Sequence, residues 1–197
     1  LGIDLNEGLA PGTISAAQKD PLAMNPLLHT AALGHSQYMI NTDQFAHEGI
    51  GDGTPQSRMT DAGYTFGGSS WYYAENIAWN GTTGTLDATV AAIMNFENLF
   101  IDANYNGRGH RLNILSDNFR EIGVAEFVGV YTYQGVNYNA SAVTHNFAKS
   151  GSDYFITGVA YNDLDGDRFY DVGEGRGGIS MQIAGGNGTS TQTAGGY

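Results

Sequence analysis

Five acidic side chains in one twelve-residue frame constrain this chain more than any other feature of it. Asp163, Asp165, Asp167, Asp171 and Glu174 fall at positions 1, 3, 5, 9 and 12 of that frame. Calcium takes six to eight oxygens, and this spacing wraps a backbone around a single ion. The Phe169 carbonyl at position 7 would add one oxygen, and Glu174 would close the site with two. The bland alternative is a solvated acidic turn. Position 6, where the chain must turn sharply, carries Arg168 instead of glycine. A left-handed conformation there costs a residue with a Cβ about 1 kcal/mol. Residues 154–161 and 179–183 read as strands on either side, so the ion expected is structural and not a sensor's.

Composition narrows the setting. The chain has 197 residues, 41% of them hydrophobic, enough for one sizeable core and a small appendage. Its net charge is −12 with only 8 Lys and Arg, which excludes the basic footprint that nucleic acid requires. It has no Cys, so disulfides and thiolate chemistry are excluded and any metal must be held by His and carboxylate. No run of about 18 apolar residues suggests a membrane span. An acidic, cysteine-free chain with 29 Gly fits secretion from a bacterium. Leu1 opens without a signal peptide, and the expectation is a fragment or mature piece of a longer protein.

Hydrophobic period organises the rest. Asn25-Pro26 caps a helix whose apolar face is Leu28, Ala31, Ala32, His35 and Met39, running to about Ile40. Thr54-Pro55 caps a short helix that stops at Gly63. Thr85 or Asp87 opens a third helix reaching about Asp102, with an apolar stripe of Val90, Ile93, Met94 and Ile101. Asp87, Asn95, Asn98 and Asp102 take the opposite side, and Glu97 is an acid on the apolar stripe. A strand-like segment from Ile122 to about Tyr133 meets a turn at Gln134-Gly135, then a return strand through Val143, His145 and Phe147. Ser150-Gly151-Ser152 reads as a linker, which divides the chain at 1–150 and 151–197.

Of five histidines, His35 reads as a core residue, His29 as exposed and His145 as core or cleft floor. His47 and His110 lie at the edges of elements. With Glu75, an acid among apolar neighbours, and Glu97, they are enough for a divalent-cation site or for an acid–base pair.

Six ordered motifs resemble one family. Leu33-Gly34-His35-Ser36, Phe45-Ala46-His47, Gly53-Thr54-Pro55, Ala74-Glu75-Asn76-Ile77-Ala78, Gly109-His110-Arg111-Leu112-Asn113 and Phe119-Arg120-Glu121-Ile122-Gly123-Val124 look like the bacterial branch of the CAP superfamily. That superfamily groups cysteine-rich secretory proteins, antigen 5 and plant pathogenesis-related proteins. The resemblance covers roughly residues 25–149 and implies an α+β fold: a three-layer α–β–α sandwich, here followed by a partial small β domain. It implies a central cleft of two His and two Glu, which fall on His47, His110, Glu75 and Glu97, with Asp102 as the fallback acid. Glu97 lies three residues after Met94, which stands where the family carries Trp. The family's first helix is not evident in residues 1–24, which leaves an apolar flank either bare or covered by a partner. The loop at 163–174 resembles those of bacterial surface-protein B-type repeats.

The resemblance implies Zn²⁺ or Mg²⁺ at His47 and His110, and two imidazoles suit zinc better. Three functions compete. One is a non-enzymatic binding module for a lipid, glycan or protein. Another is a metal-dependent hydrolase with Glu75 or Glu97 as general base. The third is an adhesive component joined to other modules of a longer surface protein.

Overall fold

The computed structural model describes residues 2–103, 105–152, 154–186 and 188–197. A short strand β1 (Ala23–Met24) leads into helix α1 (Pro26–Thr42), whose Asn25 cap accepts from the N–H groups of Leu27 and Leu28. The buried residues of α1 are Leu28, Ala31, Ala32, His35, Ser36, Met39 and Ile40, the face its period predicts. Helix α2 (Pro55–Asp61) begins with a reciprocal capping box between Thr54 and Ser57.

Strand β2 (Tyr72–Thr82) is followed by α3 (Ala88–Ile101) and the six-residue α4 (Gly109–Ile114). Strands β3 (Glu121–Tyr133) and β4 (Val136–Lys149) then form a long hairpin. Its turn is Gln134-Gly135, both at positive φ (51° and 77°), the two-residue geometry that matches strand twist. The sheet order is β1-β3-β4-β2, with β1 parallel to β3 and the other pairs antiparallel.

Alternation along β4 divides the layers. Thr144 and Asn146 face α1, bonding Ser36 Oγ at 2.9 Å and the Leu28 carbonyl at 3.3 Å. Ser141 and Val143 face α3, where the Asn95 amide donates to Ser141 and Val143 packs with Ala78 and Leu99. Helix α1 sits so close to β3 that a Cβ on Gly123 would lie 2.1 Å from the backbone of Leu28 and His29. Helices thus cover both faces of one sheet, and the α+β sandwich expected from sequence is the fold.

Helix α3 is rotated from the expected orientation. Val90, Ile93 and Met94 are 52%, 52% and 47% exposed, while Ala91, Asn95 and Leu99 are buried. Small residues permit close approach to the sheet, and the amide nitrogen of Asn95 donates to Ser141, while its oxygen finds no partner among the described residues. An apolar stripe alone does not choose the face when a hydrogen bond and close packing favour the other.

In the later part of the chain β5 (Ser180–Gln182) and β6 (Gly188–Ser190) form a small antiparallel sheet. The strand expected over 154–161 is reduced to isolated bridges at Val159 and Tyr161. Residues 2–22 form turns and contain no helix. Among the described residues no helix is long and apolar enough to cross a membrane.

Candidate functional site

Two adjacent residues of β2 organise the cleft, because neighbours in a strand point to opposite faces. Glu75 turns toward α1 and α2. Its Oε1 lies 2.9 Å from His47 Nδ1, and its Oε2 accepts from Arg58 at 2.6 Å. The Glu75 side chain is 1% exposed, and the guanidinium compensates its buried charge. Arg58 also donates to Asp52 at 2.9 Å and to the His47 and Gly53 carbonyls. Asp52 in turn holds Nδ1 of the fully buried His35 at 2.6 Å. Burial lowers the His35 pKa, and the ring is a member of the core, as its helical position implied.

Asn76 turns toward α3 and α4. Its amide donates to the His110 carbonyl at 3.0 Å and its oxygen accepts from Asn113 at 2.8 Å. This buried amide fastens α4 to the sheet. The His110 ring is held by Asp102, whose Oδ1 lies 2.8 Å from Nδ1 and whose Oδ2 accepts the His110 backbone N–H at 2.9 Å. Asp102 is the C-cap of α3 in the left-handed conformation (φ 51°), 2% exposed. The loop between them is gathered by Arg108, which donates to the carbonyls of Asp102, Ala103 and Tyr105 and to both oxygens of Glu7. Hydrogen bonding from Arg108 lowers the Glu7 pKa. Arg111, 1% exposed, donates to the carbonyls of Phe100, Leu5 and Glu7.

The carboxylate at His110 is therefore Asp102, the fallback acid. Glu97 lies two residues beyond the inward Asn95, a rotation of about 200°, and makes no hydrogen bond or ion pair among the described residues. The polar side of α3, which carries Asn95 and Asp102, is the side that faces the protein. Asn76 and Arg58 stand in or beside the family motifs without an assigned role, and Asp52 was given none.

Beside β2, Ile77, Ala78 and Trp79 line a cavity of ≈ 340 Å³ with Phe45, Leu99, Tyr105 and His110. The Tyr105 ring meets His110 edge-on at 4.6 Å between centroids. His145 lies elsewhere, in an apolar groove with Phe96, Val143 and Phe147, where burial lowers its pKa to about 4. His29 is exposed and bonds the Val124 carbonyl.

In both cleft pairs Nδ1 meets a carboxylate, which fixes the tautomer and frees Nε2, the arrangement typical of metal-ligating histidines. Yet the groups of three or more His, Cys, Asp or Glu ligand atoms that converge within 4.8 Å, among the described residues, all lie in the acidic loop. The cleft thus offers imidazole donors of the right chemistry without a ready three-ligand set.

The acidic loop does converge. Asp163, Asp165 and Glu174 form one group and Asp165, Asp167 and Asp171 another, sharing Asp165. Glu174 is buried and accepts from the N–H groups of Leu164 and Asp171, at 2.7 and 3.0 Å. Asp163 accepts from Gly166 and Arg168, and Asp167 from Phe169. Arg168 stands at φ 69°, the strained conformation expected at position 6. Desolvation, then the neighbouring Asp167, Asp165, Glu174 and Asp163, raise the Asp171 pKa.

The sandwich, and the histidines held from Glu75-Asn76 and Asp102, define a CAP domain. The chain belongs to the CAP, or cysteine-rich secretory protein, family, whose pattern matches residues 14–147. It is similar to an extracellular protein containing an SCP domain from Bacillus anthracis, at 26% identity with a TM-score of 0.43. That similarity covers 66% of this chain and 34% of the other, so the match spans about a third of that protein's length. No curated protein matches the chain.

Proposed function

We propose that this CAP domain is an extracellular bacterial binding module whose ligand, a protein, lipid or glycan, is captured at the cleft beside β2. The observation that carries this reading is how the two cleft histidines are held. Each has Nδ1 against a buried carboxylate, and Nε2 is left to meet what enters. His47 and His110 would be the protein donors to a divalent ion, zinc better than magnesium, with water or ligand completing its shell. Such an ion supplies Lewis-acid polarisation of a bound oxygen. The hydrolase reading ranks behind, because both Glu75 oxygens are committed to Arg58 and His47 and the half-buried Glu97 meets no histidine among the described residues.

Elemental analysis of the purified chain tests the metal. About one zinc per chain is expected, lost in the double variant His47→Ala, His110→Ala. A parent chain without zinc would remove the metal from this reading. Ligand capture on lipid and glycan arrays that survives the double variant would place the binding surface outside the cleft.

A second reading is favoured by the converging carboxylates of the acidic loop. We propose one structural Ca²⁺ held by Asp163, Asp165, Asp167, the Phe169 carbonyl, Asp171 and Glu174. It would rigidify a β segment, 151–197, following the CAP domain of 1–150, within a longer surface protein. Chelation should lower the melting temperature of the later segment alone, and an unchanged melt would sink the idea.

A further inference from the structure

Strand β2 ends the sheet. It pairs only with β4, and among the described residues none of its backbone groups hydrogen-bonds to anything else. In an antiparallel ladder every second residue turns both N–H and C=O away from its partner. Alternate residues of β2 therefore turn free donors and acceptors outward, most open toward the two ends of the strand, with Glu75 to Ala78 buried between them. Edge strands are normally blunted by lysine, proline, a bulge or a covering element. The sequence Tyr-Tyr-Ala-Glu-Asn-Ile-Ala-Trp-Asn-Gly-Thr carries no Lys or Pro, and its single charge, Glu75, is spent on Arg58 and His47. The middle of the edge, at Ile77 to Trp79, borders the cavity walled by Phe45, Tyr105 and His110.

We infer that this edge takes an extended peptide, which adds a fifth strand beside β2 and sets alternate side chains into the apolar cavity. The inference rests on the cleft being the binding site and names its ligand class. Charge selects the peptide's character. The chain carries −12, Glu48 beside His47 is exposed, and of the nearby cations Arg58 and Arg108 are paired with Glu75 and Glu7 while Lys149 lies over Tyr72 at the start of β2. A basic peptide is steered to such a surface, whereas a second copy of this chain is repelled. Apolar residues alternating with lysines satisfy both demands.

The test uses the full chain and an end-capped, fluorescein-labelled hexapeptide of alternating valine and lysine, read by fluorescence anisotropy at low salt. Two further probes carry N-methyl groups on the valines only or on the lysines only. Saturable binding of the parent peptide is expected, with one methylated probe weakened about tenfold or more by the loss of main-chain donors. The other should bind within about threefold of the parent, because its methyl groups point away from β2. Failure of the parent peptide to bind, or equal binding of the two methylated probes, overturns the inference. Sedimentation showing a dimer that the peptide does not dissociate overturns it in favour of a second copy. The double variant His47→Ala, His110→Ala separates the two readings. Peptide binding with the same methylation pattern but no zinc supports edge pairing without the metal. Zinc retained in the parent while both methylated probes bind alike removes edge pairing and leaves the cleft reading intact.

Discussion

Glu75 and Asn76, neighbours in β2, hold the two cleft histidines from opposite faces of one strand. Glu75 meets the ring of His47 at 2.9 Å, and Asn76 meets the backbone of His110 at 3.0 Å. The positions of both histidines therefore follow from the placement of a single strand.

Asn76 is fully buried and serves two partners. Asn76→Ala would leave the His110 carbonyl and the Asn113 amide without partners. The expected loss is about 2–3 kcal/mol, measured by urea unfolding. Hydrogen exchange should quicken in α4 while α1 is unaffected.

Asp102 and Glu97 should separate cleanly. Asp102→Ala removes the acceptor for both the ring and the backbone N–H of His110, at a cost of about 2–4 kcal/mol. Asp102→Asn keeps the left-handed cap but changes the partner offered to Nδ1, and nitrogen NMR should report an altered His110 tautomer. Glu97→Gln should leave stability within about 0.5 kcal/mol and the His110 spectrum unchanged.

His145 makes stability depend on pH. Burial holds its pKa at about 4, below the ordinary value, with the charge of His110 a lesser cause. The unfolded chain therefore binds the extra proton first as pH falls. Stability from this group is fully present above about pH 6.5 and is lost progressively down to its folded value of about 4. The full difference is about 3 kcal/mol. His145→Leu should flatten that part of a stability-against-pH curve.

Arg168→Gly should relieve the left-handed strain at φ 69°. If the acidic loop binds calcium, affinity should rise up to about fivefold, the equivalent of about 1 kcal/mol. Titration calorimetry with calcium on the parent and variant chains measures this.

Much of the fold was legible because its signals are local. The Asn25-Pro26 cap, the inward face of α1 and the Gln134-Gly135 turn each depend on a few consecutive residues. The face of α3 was not, because it is decided by what lies across the gap. Asn95 finds Ser141 forty-six positions away, and that bond turns Val90, Ile93 and Met94 outward. The same rotation moved the acid at His110 from Glu97 to Asp102. His47, Glu75 and His110 were legible from motif resemblance. Arg58, Asp52 and Asn76 belong to a hydrogen-bond network that spacing does not encode.

The position of β4 between β3 and β2 has a consequence for how the molecule assembles. Strands β3 and β4 are joined by a two-residue turn and can zip locally. Strand β2 must find β4 across more than fifty intervening residues, pairing Thr82 with Asn139 and Tyr72 with Lys149. Long-range pairing is the slow step in such topologies, so β2 should be the last strand to dock. Pulsed amide labelling during refolding should find the hairpin protected first and β2 later. The cleft is then a late product of folding, formed only after the layer that supports it is in place.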